Sequence, residues 1–294
     1  MQIGNQIAQY LLSGLSTGAI YSLIGLGFAI IHNATGIINF AQGEFVMLGG
    51  MFTVFFLTVL NLPFLVSIIL SIAASTLAGV VFERFAIRPM KNASPISLVI
   101  ITIGGSILIR GIAMLVWGKD THALQTFSGD NPIQVGGATI LPQHLWIFAV
   151  TTVVIICSKI YFNYTISGKA MRACAYNARA AGLVGIDVRR MVLFSFAISS
   201  AMGSMAGIII APLTMTSYDV GIMLGLKGFC AAIIGGMSSG LGTVFGGVFL
   251  GVLESLGAGI FSSGYKDAIA FIILLVILFI RPKGLFSKGD TERV

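Results

Sequence analysis

Charge is what this sequence has least of. Only 9% of its 294 residues are Asp, Glu, Lys or Arg, against 56% that are hydrophobic; soluble domains carry about 25% charged residues. So few charged side chains cannot cover a soluble chain of this length, which excludes a soluble enzyme and a disordered chain alike. Three cysteines, Cys157, Cys174 and Cys230, are too few for a disulfide framework. None has a His or a second Cys at ligand spacing, so no metal site is expected. A phosphate-cradling GxxxxGK[ST] loop is missing as well. Its nearest match, Ser167-Gly168-Lys169-Ala170, lacks the leading glycine and the final hydroxyl, so the chain is not expected to hydrolyse ATP. No Ser–His pair, HExxH motif or paired carboxylates supports catalysis. No Lys or Arg precedes Arg84, so no signal peptide is expected and Ile7–Ile31 reads as a retained membrane helix.

What is present is long apolar sequence rich in glycine. Apolar segments near 7–31, 44–60, 64–83, 95–117, 144–162, 190–212, 221–237, 241–258 and 264–281 predict an all-α polytopic membrane bundle of about eight to nine spans. Asn61-Leu62-Pro63 marks a turn between the second and third. The charge-free run Gly228–Leu253 is either two crossings or a re-entrant pair. The 37 glycines lie within apolar runs, as in closely packed membrane helices. The whole of 1–294 is expected to form a single transmembrane domain.

The net charge of +7 reads as basic cytoplasmic loops, not as nucleic-acid binding. Arg84, Arg88 and Lys91 form one cluster. Lys159, Lys169, Arg172, Arg179, Arg189 and Arg190 form a second, and Arg281, Lys283, Lys288 and Arg293 a third. The loop at about 118–143 has only Lys119 against Asp120 and Asp130, and Trp117 and Trp146 flank it as interfacial aromatics do. That loop is expected outside, and the loop at about 163–190 and the C-terminus in the cytoplasm. An odd number of crossings puts the N-terminus outside; one re-entrant segment would move it inside.

Three segments carry candidate chemistry. In Ser167–Arg190, Lys169, Arg172, Tyr176 and Arg179 fall on one helical stripe, and Met171, Cys174, Ala175, Ala178 and Ala181 on an apolar one. Gly182 and Gly185 are expected to end this helix. It reads either as a basic helix on anionic lipid or as a docking helix for a cytoplasmic partner. In Thr35–Gly50, Asn39, Gln42 and Glu44 sit among glycines at a membrane boundary, either as a solvated turn or as a broken helix facing a transport path. In Lys227–Gly242, five glycines with Ser238 and Ser239 interrupt an apolar run. Gly203 and Gly207, and Gly242 through Gly251, have the spacing of tight helix packing. Arg110 and Glu254 are intramembrane charges expected to face protein, water or, for Arg110, the outer interface.

In these segments the sequence closely resembles the LivH-type permeases of branched-chain amino acid ABC importers. The resemblance rests on Gly14-Leu-Ser-Thr-Gly18-Ala-Ile-Tyr21, Gly36-Ile-Ile-Asn39-Phe-Ala-Gln-Gly43-Glu44, Gly168-Lys-Ala-Met-Arg172 and Ala180-Ala-Gly-Leu-Val-Gly185. Gly203-Ser-Met-Ala-Gly207, Lys227-Gly-Phe, Gly235-Gly-Met-Ser-Ser-Gly240 and Tyr265-Lys266-Asp267 complete it. It implies a bacterial inner-membrane permease working with a homologous LivM-type permease, two cytoplasmic ATPases that use ATP and magnesium, and an extracytoplasmic binding protein. It also implies that Gly168–Gly185 is the ATPase coupling loop, and that segments 36–50 and 235–242 border the translocation path, with Glu254 beside it. The cargo implied is Leu, Ile and Val. Permeases for urea, amides and other neutral amino acids are very similar, and an ion-coupled carrier is the alternative class. The sequence departs from the family pattern at Gln42, where the pattern has a titratable His.

Overall fold

A computed structural model describes residues 2–286 apart from 91–92, 136–137, 261 and 283. Lys91, Lys283, Lys288 and Arg293 of the basic clusters lie outside the described residues. The helices are α1 (Gln2–Thr35), α2 (Gln42–Thr58), α3 (Phe64–Phe82, prolonged by a π-helical turn Glu83–Ile87), α4 (Pro95–Trp117) and α5 (Pro142–Tyr164). After them come α6 (Ile166–Tyr176), α7 (Ala178–Leu183), α8 (Val188–Thr214), α9 (Val220–Gly235), α10 (Gly240–Ile260) and α11 (Lys266–Ile280). Each of the nine apolar segments is a helix. Seven of these are long and apolar enough to cross a membrane, while α2 and α9, at 17 and 16 residues, are shorter. The protein is a polytopic helical membrane protein. Asn61, at φ 51°, makes the turn between α2 and α3, and Pro63 opens α3.

The loop between α4 and α5 holds a hairpin that the apolar pattern did not announce. Strands β1 (Ile133–Val135) and β2 (Ala138–Ile140) pair antiparallel, Ile133 opposite Ile140. Gln9 of α1 completes its edge, donating from Nε2 to the Thr139 carbonyl and accepting from its N–H, both at 2.8 Å. At this end of the bundle Trp146 donates to Ser128 Oγ, and Trp117 packs edge-on against Phe52. The hairpin end is thus opposite the end that carries α6 and α7.

Glycine decides which helices are central. A methyl at Gly18 would meet the Val248 backbone, one at Gly251 the Gly18 backbone, and one at Gly247 the Ser22 backbone. These contacts bring α1 and α10 together backbone to backbone. Gly49 and Gly207 do the same for α2 on α8, meeting Ser204 and Val46. With lipid as apolar as leucine, such close approach is what holds membrane helices together. On α3 the ridge Ser67, Ser71, Ser75 and Gly79 is buried, and Gly79 lies against Ser200 of α8. By contrast α4, α5 and α11 keep large apolar side chains on the outside, among them Leu115, Ile156 and Phe279.

Two helices begin inside the bundle instead of at its ends. The Gln42 side chain at the start of α2 bonds to Ser199, which lies about 17 Å along α8 from its first residue. At the start of α9, the chain from Met215 (φ 61°) doubles back so that Thr216 sits against Gly50, about 12 Å short of the end of α2. The first turns of α2 and α9 then touch. A methyl on Gly43 would meet the Gly221 carbonyl, and one on Gly221 the Gly43 carbonyl.

Gly251→Ala should force the Gly18 backbone away and lower the unfolding temperature in detergent, a cost of about 1–3 kcal/mol. Gly104→Ala, where a methyl meets nothing within 4 Å, should leave it unchanged or raise it.

Candidate functional site

The non-helical segment from Gly36 to Ala41 is what lets α2 start so deep. Two of its backbone N–H groups are satisfied by side chains: Asn39 Oδ1 accepts from the Ala41 N–H at 3.1 Å, and Thr102 Oγ1 of α4 accepts from the Phe40 N–H at 3.2 Å. Asn39 is buried, and its Nδ2 has no partner among the described residues. Gln42 donates from Nε2 to the Ser199 carbonyl at 3.1 Å. Ser199 Oγ lies 2.6 Å from Gln42 Oε1 and 2.8 Å from the Gly27 carbonyl, donating its one proton to one of them at a time. Gln42 therefore ties α1, α2 and α8 together, and a methyl at Gly27 would collide with its amide.

Glu44, in the first turn of α2, is 1% exposed. Its Oε1 accepts from Ser106 Oγ at 2.7 Å, while Oε2 has no partner. Arg110, one turn further along α4 on the same face, lines the same cavity of about 230 Å³. Phe28, Phe40, Phe229 and Ile107 supply its apolar wall and Gly221 the first turn of α9. The two opposite charges border one space without pairing across it.

A larger cavity of about 510 Å³ lies on the other side of α9 toward the hairpin end. Ser16, Thr17 and Tyr21 of α1, His144 of α5, Asp219 just before α9 and Lys227 of α9 line it. Lys227, 6% exposed, donates to Glu254 Oε1 at 2.8 Å and pairs with Asp267 at 2.6 Å. Tyr21 donates to the same Glu254 oxygen at 3.1 Å, and Lys266 lies 3.5 Å from it. Glu254 thus finds a partner that its position in the sequence could not name. In the sequence Lys227 stands out as the start of a glycine-rich run and as part of the family resemblance, with no role of its own. Its mid-helix position, a lone ammonium in an apolar segment, was the available signal.

Ser238 and Ser239 are far from these groups, in the turn between α9 and α10. Gly236, at φ 94°, makes that turn, Ser239 Oγ accepts from the Gly242 N–H, and Leu285 and Phe286 bond back onto the end of α9. The glycine-rich run is accordingly the junction of two antiparallel helices.

The segment 163–190 is two helices, not the single one its stripe suggested. Asn177, extended at φ −156°, ends α6 and caps α7 through the Ala180 N–H. An amide side chain competes with the helix for backbone donors and so starts a new one. Thr165 caps α6 and Asp187 caps α8; Gly185, at φ 90°, ends α7 beyond Gly182. Lys169, Arg172, Tyr176, Arg179, Gly182 and Gly185 are all exposed. Arg172 donates to Asn163 Oδ1 at 3.1 Å. The small apolar stripe is only partly turned inward: Met171 packs with Leu26, Ile30 and Met202, and Cys174 and Ala181 are buried, while Ala175 and Ala178 are exposed. Burial pushes the Cys174 thiol up from its usual value, so it is a neutral packing group at neutral pH. The large aliphatic side chains facing outward here are Ile166, Leu183 and Val184.

A family model described as branched-chain amino acid transport system / permease component matches residues 10–278. The chain belongs to this family. It is 30% identical to the high-affinity branched-chain amino acid transport system permease protein BraD of Pseudomonas aeruginosa, over 97% of each chain. It is equally similar, at 30% and 97% of each, to the corresponding LivH of Escherichia coli K12. The galactofuranose transporter permease protein YtfT of the same organism is 24% identical over 95% of this chain and 82% of that one. As in its relatives' family description, this permease component is a transport protein of the membrane.

Lys227→Met should leave buried Glu254 with only Tyr21 and the more distant Lys266 as partners, at a cost of up to about 3–5 kcal/mol. Thermal unfolding of the detergent-solubilised chain should show the drop, and adding Glu254→Gln should recover most of it.

Proposed function

We propose that the chain, acting as one transmembrane domain, is a permease subunit of an ATP-driven importer that moves leucine, isoleucine and valine into the cytoplasm. The observation that carries the reading is the full-length identity to two permeases named for branched-chain amino acid transport. A homologous LivM-type permease completes the membrane part, two cytoplasmic ATPases use ATP and magnesium, and an extracytoplasmic binding protein delivers the cargo. The protein resides in the bacterial inner membrane. Its basic end, with α6, α7 and Arg281, faces the cytoplasm, as the positive-inside rule requires, and its hairpin end faces outward toward the binding protein.

The exposed α6–α7 surface is the coupling element. Lys169, Arg172, Tyr176 and Arg179 with Ile166, Leu183 and Val184 offer a partner both charge and apolar anchors, and its inward stripe on α1 and α8 gives a motion there a route into the bundle. The path itself runs by the junction of α2 and α9, bordered by Asn39, Gln42 and Glu44. Glu254 acts on it through Lys227, and Ser238 and Ser239 border its cytoplasmic mouth.

In proteoliposomes holding this chain, its co-purifying subunits and the binding protein, leucine uptake should require internal or external ATP on the ATPase side. Uptake driven by an ion gradient through the chain alone would overturn the reading. Arg172→Glu with Arg179→Glu should cut ATP-driven uptake at least about tenfold and weaken ATPase capture in pull-downs. Thermal stability should hold, because both side chains are exposed.

A further inference from the structure

Opposite charges in a membrane interior are costly, and protein usually offsets that cost by pairing them. Lys227 and Glu254 follow that rule at 2.8 Å. Glu44 and Arg110 do not. They border one cavity of about 230 Å³, yet among the described residues Arg110 makes no ion pair or hydrogen bond, and Glu44 Oε2 has no partner although the residue is 1% exposed. Ser106 holds the other oxygen at 2.7 Å, and Oε2 lies against Gly221 of α9. What lies between the two charges is space with an apolar flank: Phe229 stands with its ring centroid 5.7 Å from Phe28 and 5.5 Å from Phe40. Ile103, Ile107 and Leu226 extend that flank.

The backbone adds to the asymmetry. The cavity touches Gly221 and Gly225 of α9, the glycines that bring α9 onto Gly43 of α2. Both helices therefore begin at this space, and helix beginnings carry partial positive charge.

We propose that this cavity is a subsite of the permease for one free α-amino acid held as its zwitterion. The ammonium group meets the Glu44 carboxyl group, the carboxylate meets the Arg110 guanidinium as a fork, and an aliphatic side chain lies on the Phe28–Phe229–Phe40 wall. The inference deepens the importer reading and rests on it. It adds that the permease itself recognises both charged ends of its cargo. A carrier of an uncharged solute such as urea or an amide has no use for this pair.

The test measures equilibrium binding of radiolabelled L-leucine to the purified transporter, this chain with its co-purifying subunits in nanodiscs, with no binding protein added. L-Isoleucine and L-valine should displace the label. The matched amine and acid, 3-methylbutylamine and 4-methylpentanoate, should be weaker by about tenfold or more, since each leaves one of the two charges unmet. Glu44→Gln and Arg110→Gln should each weaken binding by about tenfold, with Glu44→Asp and Arg110→Lys intermediate. Phe229→Ala should reduce the preference for leucine over alanine, an effect that a purely structural role would not produce. Equal competition by the amine or the acid, or wild-type binding by both Gln variants, would overturn the subsite. If a variant fails to assemble, the ligand pattern on the unaltered transporter decides. Working ATP-driven leucine uptake with no saturable binding would sink the subsite and leave the importer reading intact. Absence of leucine uptake by the complete unaltered system would sink the importer reading.

Discussion

The contact of Gly43 with Gly221 is the point on which the interior is organised. Two helices too short to cross a bilayer by themselves start inside the bundle and meet there backbone to backbone. A non-helical chain at that depth must satisfy its own polar groups. The segment before α2 does so through Asn39 and Thr102, and the segment before α9 through the paired backbones of Thr216 and His122. Any side chain larger than hydrogen at either glycine would separate the helix beginnings. The two cavities on either side of α9 would then change shape together.

Around this junction the scarce charges divide by environment. Most of those at the bundle ends are exposed and solvated, as the cheap arrangement demands, with Glu83, 2% exposed at the end of α3, the exception. Those inside divide again: Lys227, Glu254 and Asp267 form a paired cluster with Tyr21, which fixes the relation of α1, α9, α10 and α11. Glu44 and Arg110 stand apart around a cavity. A pair that is closed contributes structure, and one held open keeps its charge for something else. The first cluster reads as architecture and the second as recognition.

Much of the fold was legible because bilayer physics writes it in one dimension. The nine apolar segments, the Asn61–Pro63 turn, the tryptophans beside the 118–143 loop and the small-residue packing at Gly203, Gly207 and Gly242–Gly251 all follow from length, turn chemistry and spacing. The ridge Ser67–Ser71–Ser75–Gly79 was equally available, at i, i+4 spacing, but serine in an apolar run is easily passed over when glycine is so abundant. The break at Asn177 escaped because an amphipathic stripe persists across a capped break almost as well as along a continuous helix. The β1–β2 hairpin is too short for its alternation to stand out from the loop.

The sequence by itself determined that this is a membrane bundle, which loops are basic, and which few residues carry charge into the apolar interior, because the cost of burying polar groups acts residue by residue. Only the tertiary structure decided how those residues combine. Lys227 reaches Glu254 across 27 positions in the chain, and Tyr21 reaches it across 233; Glu44 faces Arg110 over an open space. No local pattern encodes such pairings, since they depend on how deep each helix starts and which face it turns. Here that depth is set by glycine contacts between segments distant in sequence. The inward turn of the Met171–Cys174–Ala181 stripe was decided in the same way, by α1 and α8 offering it a surface before any partner does.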